Sequence, residues 1–419
     1  MNKFKKFLKA IGPGFITGAS DDDPSGIATY SQAGAQFGYG QLWTALFSFP
    51  FMTAVQEMCG RIGMVTGHGL SGVIRSHYSR KLLFVVITLV LIANIFNIGA
   101  DLGAMAASGS LLVRVPFAVW IGVVTIVTIL LEVLIPYRVY AKFLKYLTFT
   151  LFAYVLTAFI VKQDWQEVTL HTLVPQMTFT KEYFMSFVAI LGTTISPYLF
   201  FWQADEEVEE EILHHKLRTP GKGIPKITNR DIREMRHDTI LGMFFSNAVM
   251  FFIMLTSAST LGAHGILNIS SASQAAEALR PLGGDVAFLL FAFGIIGTGL
   301  LAVPILAGSA SYALSEGLQW KVGLSKTFSQ AKGFYGIIIV ATAIGFIMNF
   351  LNIPPFRMLY YAAILNGVCA PPLLFMIMKI ANDKKVMGLH VNSSLSNVLG
   401  WIITVFMSAG ALALLYFLL

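Results

Sequence analysis

The stretch Ser20-Asp21-Asp22-Asp23-Pro24-Ser25-Gly26 places three adjacent carboxylates inside an apolar segment that covers residues 11–36. A charged side chain at the centre of a bilayer is costly, and such residues usually mark an ion or substrate pathway. Pro24 lacks a backbone N–H and Gly26 relaxes the chain, so we expect the helix to be interrupted over Asp21–Gly26. Unwound backbone is tolerated at membrane depth only when it is buried in protein or lines a cavity. The stretch therefore predicts a broken membrane helix with an oxygen-rich site at the break.

A second apolar segment, residues 183–212, repeats this device at Gly192-Thr193-Thr194-Ile195-Ser196-Pro197-Tyr198. Interrupted helices at corresponding positions of two halves mark the central site of transporters built from inverted repeats. The first break lies in the first apolar segment and the second break in the sixth. The spacing predicts one transmembrane domain over 1–419, with inverted five-span repeats at 11–162 and 183–378 and an extra helix at 395–418.

The composition agrees with a membrane protein. Charged residues make up 12% of the 419 residues and hydrophobic residues 56%, whereas a soluble chain carries about 25% charge. A membrane helix needs about 20 apolar residues. Besides the two interrupted segments, we predict spans at 42–60, 82–112, 116–136, 144–162, 239–262, 285–314, 334–350, 354–378 and 395–418. The sequence thus predicts an all-α membrane protein with eleven transmembrane helices.

The basic residues orient these spans. With the N-terminus inside, the inner segments hold Lys3, Lys5, Lys6 and Lys9 and most other basic residues. Of the 29 Lys and Arg residues, the outer segments hold only Arg114, Lys162, Lys181, Arg280 and Arg357. An excess of Lys and Arg in cytoplasmic loops is the usual topology signal. The net charge of +7 is therefore explained by orientation in the lipid bilayer, and it gives no case for a nucleic-acid partner.

The two breaks offer hard ligands. Carboxylates, hydroxyls and freed carbonyls all donate oxygen, and we name Ser20, Asp21, Asp22, Asp23, Gly26, Thr193, Ser196 and Tyr198 as candidate site residues. No Met or Cys lies within a turn of either break, and the histidines lie in loops or at span ends. Hard cations prefer oxygen, and Mg²⁺ keeps several waters while using one or two carboxylates. These donors predict a hard cation as substrate, and a wide acidic cavity would suit Mg²⁺.

Several motifs resemble the Nramp family of divalent-metal transporters across nearly the whole chain. They are Gly12-Pro13-Gly14-Phe15, Asp23-Pro24-Ser25-Gly26-Ile27-Ala28-Thr29, Gln32-Ala33-Gly34-Ala35-Gln36-Phe37-Gly38, Arg61-Ile62-Gly63-Met64-Val65-Thr66-Gly67, Ala100-Asp101-Leu102-Gly103 and Ser315-Glu316-Gly317. The resemblance implies a LeuT-like 5+5 inverted repeat plus one extra helix. It also implies import of a divalent metal ion by a protein that is not an enzyme and has no cofactor.

The departures from that family's pattern concern the site itself. Family members carry Asp-Pro-Gly-Asn at the first break, where this chain keeps Asp23 but has Gly26 in place of the Asn ligand. At the second break the family has Met-Pro-His, whereas this chain has Ser196-Pro197-Tyr198 and so lacks the thioether that favours Mn²⁺ and Fe²⁺. Thr193 matches the residue that ligates through its carbonyl.

The proton path of the family is also incomplete. Its acid pair in the third span becomes Asp101 and Ala104, and its histidine in the sixth span becomes Tyr198. We expect Asp101 to act in coupling or gating, the alternative being a structural buried acid. These losses resemble the Nramp-related magnesium transporters, which have little or no proton coupling.

The leading hypothesis is Mg²⁺ uptake across the inner (plasma) membrane by alternating access, with weak or no proton coupling. One alternative is a proton-coupled Mn²⁺/Fe²⁺ symporter of the ordinary Nramp type. Another is a metal sensor or receptor that keeps the fold without transport. No nucleotide-binding motif is present, so we expect the electrochemical gradient to drive transport.

An acidic run, Asp205-Glu206-Glu207-Val208-Glu209-Glu210-Glu211, ends the sixth span. We expect a solvated helix end balanced by the seven basic residues that follow it. The alternative is a group that collects cations leaving the site by electrostatic attraction.

Overall fold

The computed structural model describes residues 12–135, 139, 148–220, 223, 225–284 and 286–418, and these ranges are helical and connected by loops. The first group of helices is α1 Pro13–Asp21, α2 Pro24–Phe37, α3 Trp43–Thr66, α4 Leu70–His77, α5 Arg80–Leu112, α6 Phe117–Leu134, α7 Phe152–Ile160 and α8 Trp165–Leu173. The second group is α9 Lys181–Thr194, α10 Pro197–Leu213, α11 Asn229–Thr260, α12 Ala272–Ala276, α13 Arg280–Gly283, α14 Val286–Leu318, α15 Lys332–Met348, α16 Pro355–Asn382, α17 Lys384–Met387 and α18 Ser394–Leu418.

In the described ranges, 7 helical segments are long and apolar enough to cross a membrane. They are Arg80–Leu112, Phe117–Leu134, Lys181–Leu213, Asn229–His264, Val286–Leu318, Pro355–Asn382 and Ser394–Phe417. Shorter apolar helices cover Phe149–Ile160 and Lys332–Met348. The all-helical membrane class is confirmed, whereas the total of eleven crossings and the inside N-terminus stay predictions. The start of the predicted span 144–162, the tail with Lys3, Lys5, Lys6 and Lys9, and the loop residues Arg138, Lys142 and Lys145 lie outside the described residues.

Both predicted helix breaks are present. The first is narrower than the expected Asp21–Gly26 interval, because α1 ends at Asp21 and α2 already begins at Pro24. Proline suits the first turn of a helix, where its missing N–H would have no intrahelical partner. The expectation that Gly26 lies in unwound chain is therefore wrong, since Gly26 lies in the first turn of α2. The second break consists of Ile195 and Ser196, between α9 and α10.

Close contacts between helices hold the broken segments in place. Helices α1 and α2 pack along α11, and α9 packs along α16. A Cβ atom on Gly18 would overlap the main chain of Gly242, and one on Gly192 would overlap the main chain at Gly367. Small residues at such crossings let two backbones approach closely within a membrane. Each of the two broken helices thus packs closely against a long helix of the second half.

The acidic end of α10 differs from expectation. The side chains of Asp205, Glu206, Glu207, Glu209 and Glu211 are all buried, because α3, α4 and α14 pack around this helix. The expectation of a solvated helix end is therefore wrong. A hydrophilic run at a helix end is compatible with burial when neighbouring groups donate hydrogen bonds to it, as Tyr312 does to Glu209 at 3.1 Å.

Candidate cation site at the two helix breaks

Asp23 is the best-anchored carboxylate of the first break. As the N-cap of α2, it accepts hydrogen bonds at Oδ1 from the Gly26 backbone N–H (2.7 Å) and the Ser25 hydroxyl (2.6 Å). Its Oδ2 accepts one from the amide of Asn97 on α5 at 3.0 Å. An ionised carboxylate has about four acceptor sites. Hydrogen bonds from the protein use at least three of these sites, which fixes the carboxylate beside the break.

Asp21 and Asp22 point to a different neighbour. The Ser246 hydroxyl on α11 donates to Asp21 Oδ2 at 2.7 Å and lies 3.4 Å from Asp22 Oδ1. The other oxygen of each carboxylate has no hydrogen-bond partner among the described residues. The three adjacent carboxylates are therefore divided, with Asp23 facing α5 and the other two facing α11.

The division of the carboxylates limits what they can hold directly. In the described parts of the chain, no three Asp, Glu, His or Cys side chains are grouped so that they could hold a metal ion. The arrangement therefore offers few direct carboxylate ligands and leaves the remaining coordination to carbonyls, hydroxyls or water.

The second break supplies hydroxyls and carbonyls. The Ser196 hydroxyl donates to the carbonyls of Gly192 (2.8 Å) and Thr193 (2.6 Å). The Thr193 hydroxyl lies 3.4 Å from that of Ser25, so the two breaks are in contact. A carbonyl oxygen has two lone pairs, and the Thr193 carbonyl therefore retains an acceptor site beside the Ser196 contact.

Two tyrosines link the breaks reciprocally. Tyr198, in the first turn of α10, donates to the carbonyl of Ser20 in α1 at 3.0 Å. Tyr30, in α2, has its hydroxyl 3.1 Å from that of Thr194 at the end of α9. Each half thus contributes a phenol that reaches the last turn before the break of the other half. These contacts couple the position of one broken helix to that of the other.

Asp101 lies one turn beyond Asn97 on α5 and is fully buried. It lies beside the backbone amide of Ser25, yet neither carboxylate oxygen makes a hydrogen bond of normal geometry with the described residues. The structure therefore brings Asp101 near the Asp23 group without giving it a fixed partner.

The site is closed from both sides. Ser20, Asp21, Asp22, Asp23, Thr193, Ser196 and Tyr198 are each at most 1% exposed, and Gly26 is also buried. A cavity of about 370 Å³ lies on one side, with Ala28, Gln32 and Tyr360 in its lining. Another of about 650 Å³ lies on the other side, with Gly12, Glu211 and Asp238 in its lining. Within the described part of the chain, the candidate site residues line neither of these two cavities.

Hydrogen bonds hold separate segments of the chain together on each side of the site. Gln32 of α2 donates to the Leu267 carbonyl and accepts from the Ile269 N–H, both at 2.8 Å. On the opposite side, Asp238 of α11 accepts from the backbone N–H groups of Gly12 (3.0 Å) and Phe15 (3.1 Å) at the start of α1. A path to the site on either side requires some of these bonds to break.

The residues that complete the site were not among the candidates named from the sequence. They are Ser25, Tyr30, Asn97 and Ser246. Asn97 could have been identified from the sequence, since it lies four residues before Asp101 in a mostly apolar helix and residues at i and i+4 share a helix face. Ser246 and Tyr30 gave no comparable pattern, because their role depends on which helices pack together.

Comparison with known proteins gives a consistent result. The family described as "Natural resistance-associated macrophage protein-like" (Nramp) matches residues 14–417. The "Divalent metal cation transporter MntH" of Clostridium acetobutylicum is 24% identical over 98% of this chain and 91% of its own length. That of Caldanaerobacter subterraneus is 26% identical over 96% of this chain and 92% of its own length.

Solved structures share the fold. A crystal structure of the Eremococcus coleocola manganese transporter, in complex with an aromatic bis-isothiourea substituted compound, has a TM-score of 0.77 at 17% identity and covers 99% of this chain and 87% of its own. Mhp1, a nucleobase-cation-symport-1 family transporter in a closed conformation, has a TM-score of 0.61 at 13% identity and covers 97% of this chain and 92% of its own. At these identities the similarity concerns the fold alone.

Proposed function

This chain belongs to the Nramp family, and from that premise we propose that it imports a hard divalent metal cation, most favourably Mg²⁺. Its curated relatives are named divalent metal cation transporters, so the general activity is divalent-metal transport through a multi-pass plasma-membrane protein rather than catalysis. The preference for Mg²⁺ and the weak or absent proton coupling are the parts that we add.

The observation that carries the proposal is the donor set around Asp23. Asp23 is a well-anchored carboxylate, and the second break, which contacts the first through Ser25 and Thr193, contributes hydroxyls and carbonyls. Mg²⁺ is bound in proteins through one or two carboxylates and keeps several of its waters. Ser196 and Tyr198 stand where a thioether and an imidazole would favour softer ions. The site thus suits an ion that stays partly hydrated.

Within this proposal the candidate residues have different roles. Asp23 is the central ligand, and the Thr193 carbonyl and Ser196 complete the site from the second break. Asp21 and Asp22 raise the local cation density or hold water of the hydrated ion. Ser20, Gly26 and Tyr198 shape the space, since Tyr198 binds the Ser20 carbonyl and a Cβ atom on Gly26 would crowd the Asp21 carbonyl and the Thr193 hydroxyl. Asp101 acts in coupling or gating.

We further propose that the chain crosses the membrane eleven times with the N-terminus inside. The repeats over 11–162 and 183–378 would then have opposite orientations, and the helix at 395–418 would follow them. Two broken helices that contact each other support this arrangement. Alternating access would proceed by movement of one helix group against the other around the fixed site.

The membrane potential supplies enough energy for uptake without protons. One elementary charge crossing 100 mV corresponds to about 2.3 kcal/mol, so a divalent cation gains roughly 4.6 kcal/mol. This free energy corresponds to a concentration ratio above about 10³.

A second candidate function is proton-coupled transport of Mn²⁺ or Fe²⁺. It is favoured by Asp101, a buried carboxylate near Asp23 without a fixed hydrogen-bond partner among the described residues.

The two candidates are separated by uptake into proteoliposomes across a panel of Mg²⁺, Mn²⁺, Ca²⁺ and Fe²⁺, with the lumen pH recorded. We expect potential-driven Mg²⁺ uptake without lumen acidification. Exclusive uptake of Mn²⁺ and Fe²⁺ with acidification would favour the symporter and refute the Mg²⁺ proposal. Uptake of none of the four ions, by protein that is folded and oriented, would refute both.

A further inference from the structure

The larger of the two cavities beside the site has an unusually acidic lining. It lies among the start of α1, the end of α10 and the start of α11, on the side that the basic loops mark as cytosolic. Its lining carries the carboxylates of Glu207, Glu210, Glu211, Asp231, Glu234 and Asp238. Lys216 is the only Lys or Arg among the described residues of that lining.

Most of these carboxylates already have partners. Asp231 pairs with Lys216 at 2.8 Å, and Glu234 pairs with Arg230 at 2.7 Å. Asp238 accepts the backbone N–H groups at the start of α1, and Glu210 lies 3.2 Å from the imidazole of His214. Glu207 and Glu211 make no ion pair with a described residue of this lining, and they project from α10 one turn apart and therefore share a helix face.

Glu211 is the exceptional member. Its side chain lines the cavity and is only 3% exposed, yet both carboxylate oxygens lack a hydrogen-bond partner in the described residues. Glu207 accepts a hydrogen bond from the Gln203 amide at 2.9 Å. The charge of nearby Lys216 acts on Glu211 but is paired with Asp231. A buried carboxylate without a hydrogen-bond partner is costly, and a bound cation or its water would remove that cost.

We propose that Glu207 and Glu211 form a second cation site, on the cytosolic side, which binds a hydrated divalent cation through its water shell. The proposal rests on the proposed function for the identity of the ion. The described residues hold no group of three Asp, Glu, His or Cys side chains suited to a bare ion. Contact through water fits that geometry, because Mg²⁺ dehydrates reluctantly.

The position of this site gives it a place in transport. Gly12 and Pro13 line the cavity, and the 9-residue helix α1 leads from them to Asp21. At a rise of 1.5 Å per residue, the cavity lies about 14 Å from the first break. An ion released from the break toward this side therefore meets Glu207 and Glu211 next, and it binds there before it reaches the cytosol.

Hexaamminecobalt(III) is the probe that tests this inference. It resembles a hydrated cation in size but does not exchange its ligands, so it binds only through its outer shell. Calorimetry on the purified full-length protein, solubilised so that both sides are accessible, should show saturable binding. In Glu207→Gln/Glu211→Gln, which keeps side-chain size but removes two charges, we expect affinity to fall by about tenfold or more.

Two controls fix the location. Glu277→Gln removes a carboxylate that pairs with Arg280 elsewhere on the protein, and Asp23→Ala removes the central ligand. Both should bind the probe as the unmodified protein does. Affinity within about twofold of the unmodified value in the double variant, or loss of binding in Asp23→Ala, would overturn the inference.

If the double variant does not fold, probe binding is measured on the single variant Glu211→Gln instead. We expect a clear loss of probe affinity there as well, and unchanged affinity would overturn the inference. A failure of Mg²⁺ uptake in the ion panel leaves the probe result unaffected, so failure of the second site and failure of the proposed function are distinguishable.

Discussion

Replacing Ser196 by methionine puts a thioether into the second break, at the position where related transporters carry one. Ser196 is fully buried and donates to the carbonyls of Gly192 and Thr193. The substitution removes the hydrogen bonding of that hydroxyl, which frees the Thr193 carbonyl as a ligand and places a flexible sulfur at the second break. Thioether sulfur binds softer ions in preference to Mg²⁺.

The cost and the gain can both be assigned magnitudes. Loss of the hydroxyl, whose single proton is shared between the two carbonyls, costs about 1 kcal/mol, and the larger side chain adds about 1–3 kcal/mol of overpacking, so we expect lower thermal stability. For selectivity, one soft ligand should shift the preference for Mn²⁺ over Mg²⁺ by at least about tenfold, or about 1.4 kcal/mol. Competition of the two ions for uptake into proteoliposomes measures that ratio directly.

Ser196→Leu is the matched control, because leucine has similar bulk and no sulfur. It should lower uptake of both ions by a similar factor, so that the Mn²⁺/Mg²⁺ ratio stays unchanged. If Ser196→Met is folded and transports Mg²⁺ with an unchanged Mn²⁺/Mg²⁺ ratio, then the second break does not contact the ion, and the reasoning from donor chemistry is refuted.

Three further substitutions test a hydrogen bond to Asp23, a close helix contact and a buried ion pair. Asn97→Ala removes the donor to Asp23 Oδ2. The half-saturating Mg²⁺ concentration for uptake should rise about tenfold, since hydrogen bonds to charged groups contribute about 1.5–3 kcal/mol. An unchanged concentration would contradict the role of Asn97 in anchoring Asp23. Gly18→Ala should destabilise the folded protein by about 1–3 kcal/mol, because its Cβ atom would overlap the main chain of α11. Thermal unfolding in detergent measures this effect, and Gly40→Ala is the control, since the space around Gly40 is open. Equal unfolding midpoints for the two variants would argue against this packing. Arg61→Met should also lower the unfolding midpoint, because Arg61 binds both oxygens of buried Glu57 and breaking a buried pair costs about 3–5 kcal/mol. An unchanged midpoint would contradict this and would mean that Arg236, the other partner of Glu57, stabilises the buried carboxylate by itself.

The positions of both helix breaks could be predicted from the sequence because each combines proline with polar residues inside a long apolar run. Irregular backbone at membrane depth is tolerated only where protein buries it or where it lines a cavity, so this combination indicates a site. The extent of the first break could not be predicted. Pro24 opens α2 and the Asp23 carboxylate caps it, so the helix resumes sooner than the glycine suggested.

The burial of the acidic run after Gln203 could not be predicted from the sequence for a related reason. A run of carboxylates has the same composition whether water or neighbouring helices surround it. Burial of Glu209 and Glu211 depends on the packing of α3 and α14 against α10, which is a long-range property. The partners Asn97 and Ser246 depend on long-range packing as well, because each reaches the first break from a helix far away in sequence.

The most direct test of the account is Mg²⁺ uptake by proteoliposomes that hold either the unmodified protein or Asp23→Ala, under an inside-negative potential and without a pH gradient. Glu132→Gln serves as the control, since Glu132 is a buried carboxylate of α6 outside the site. We predict uptake by the unmodified protein and by Glu132→Gln, and none above empty liposomes for Asp23→Ala. Unimpaired Mg²⁺ uptake by folded Asp23→Ala would contradict the central claim that this carboxylate binds the transported ion.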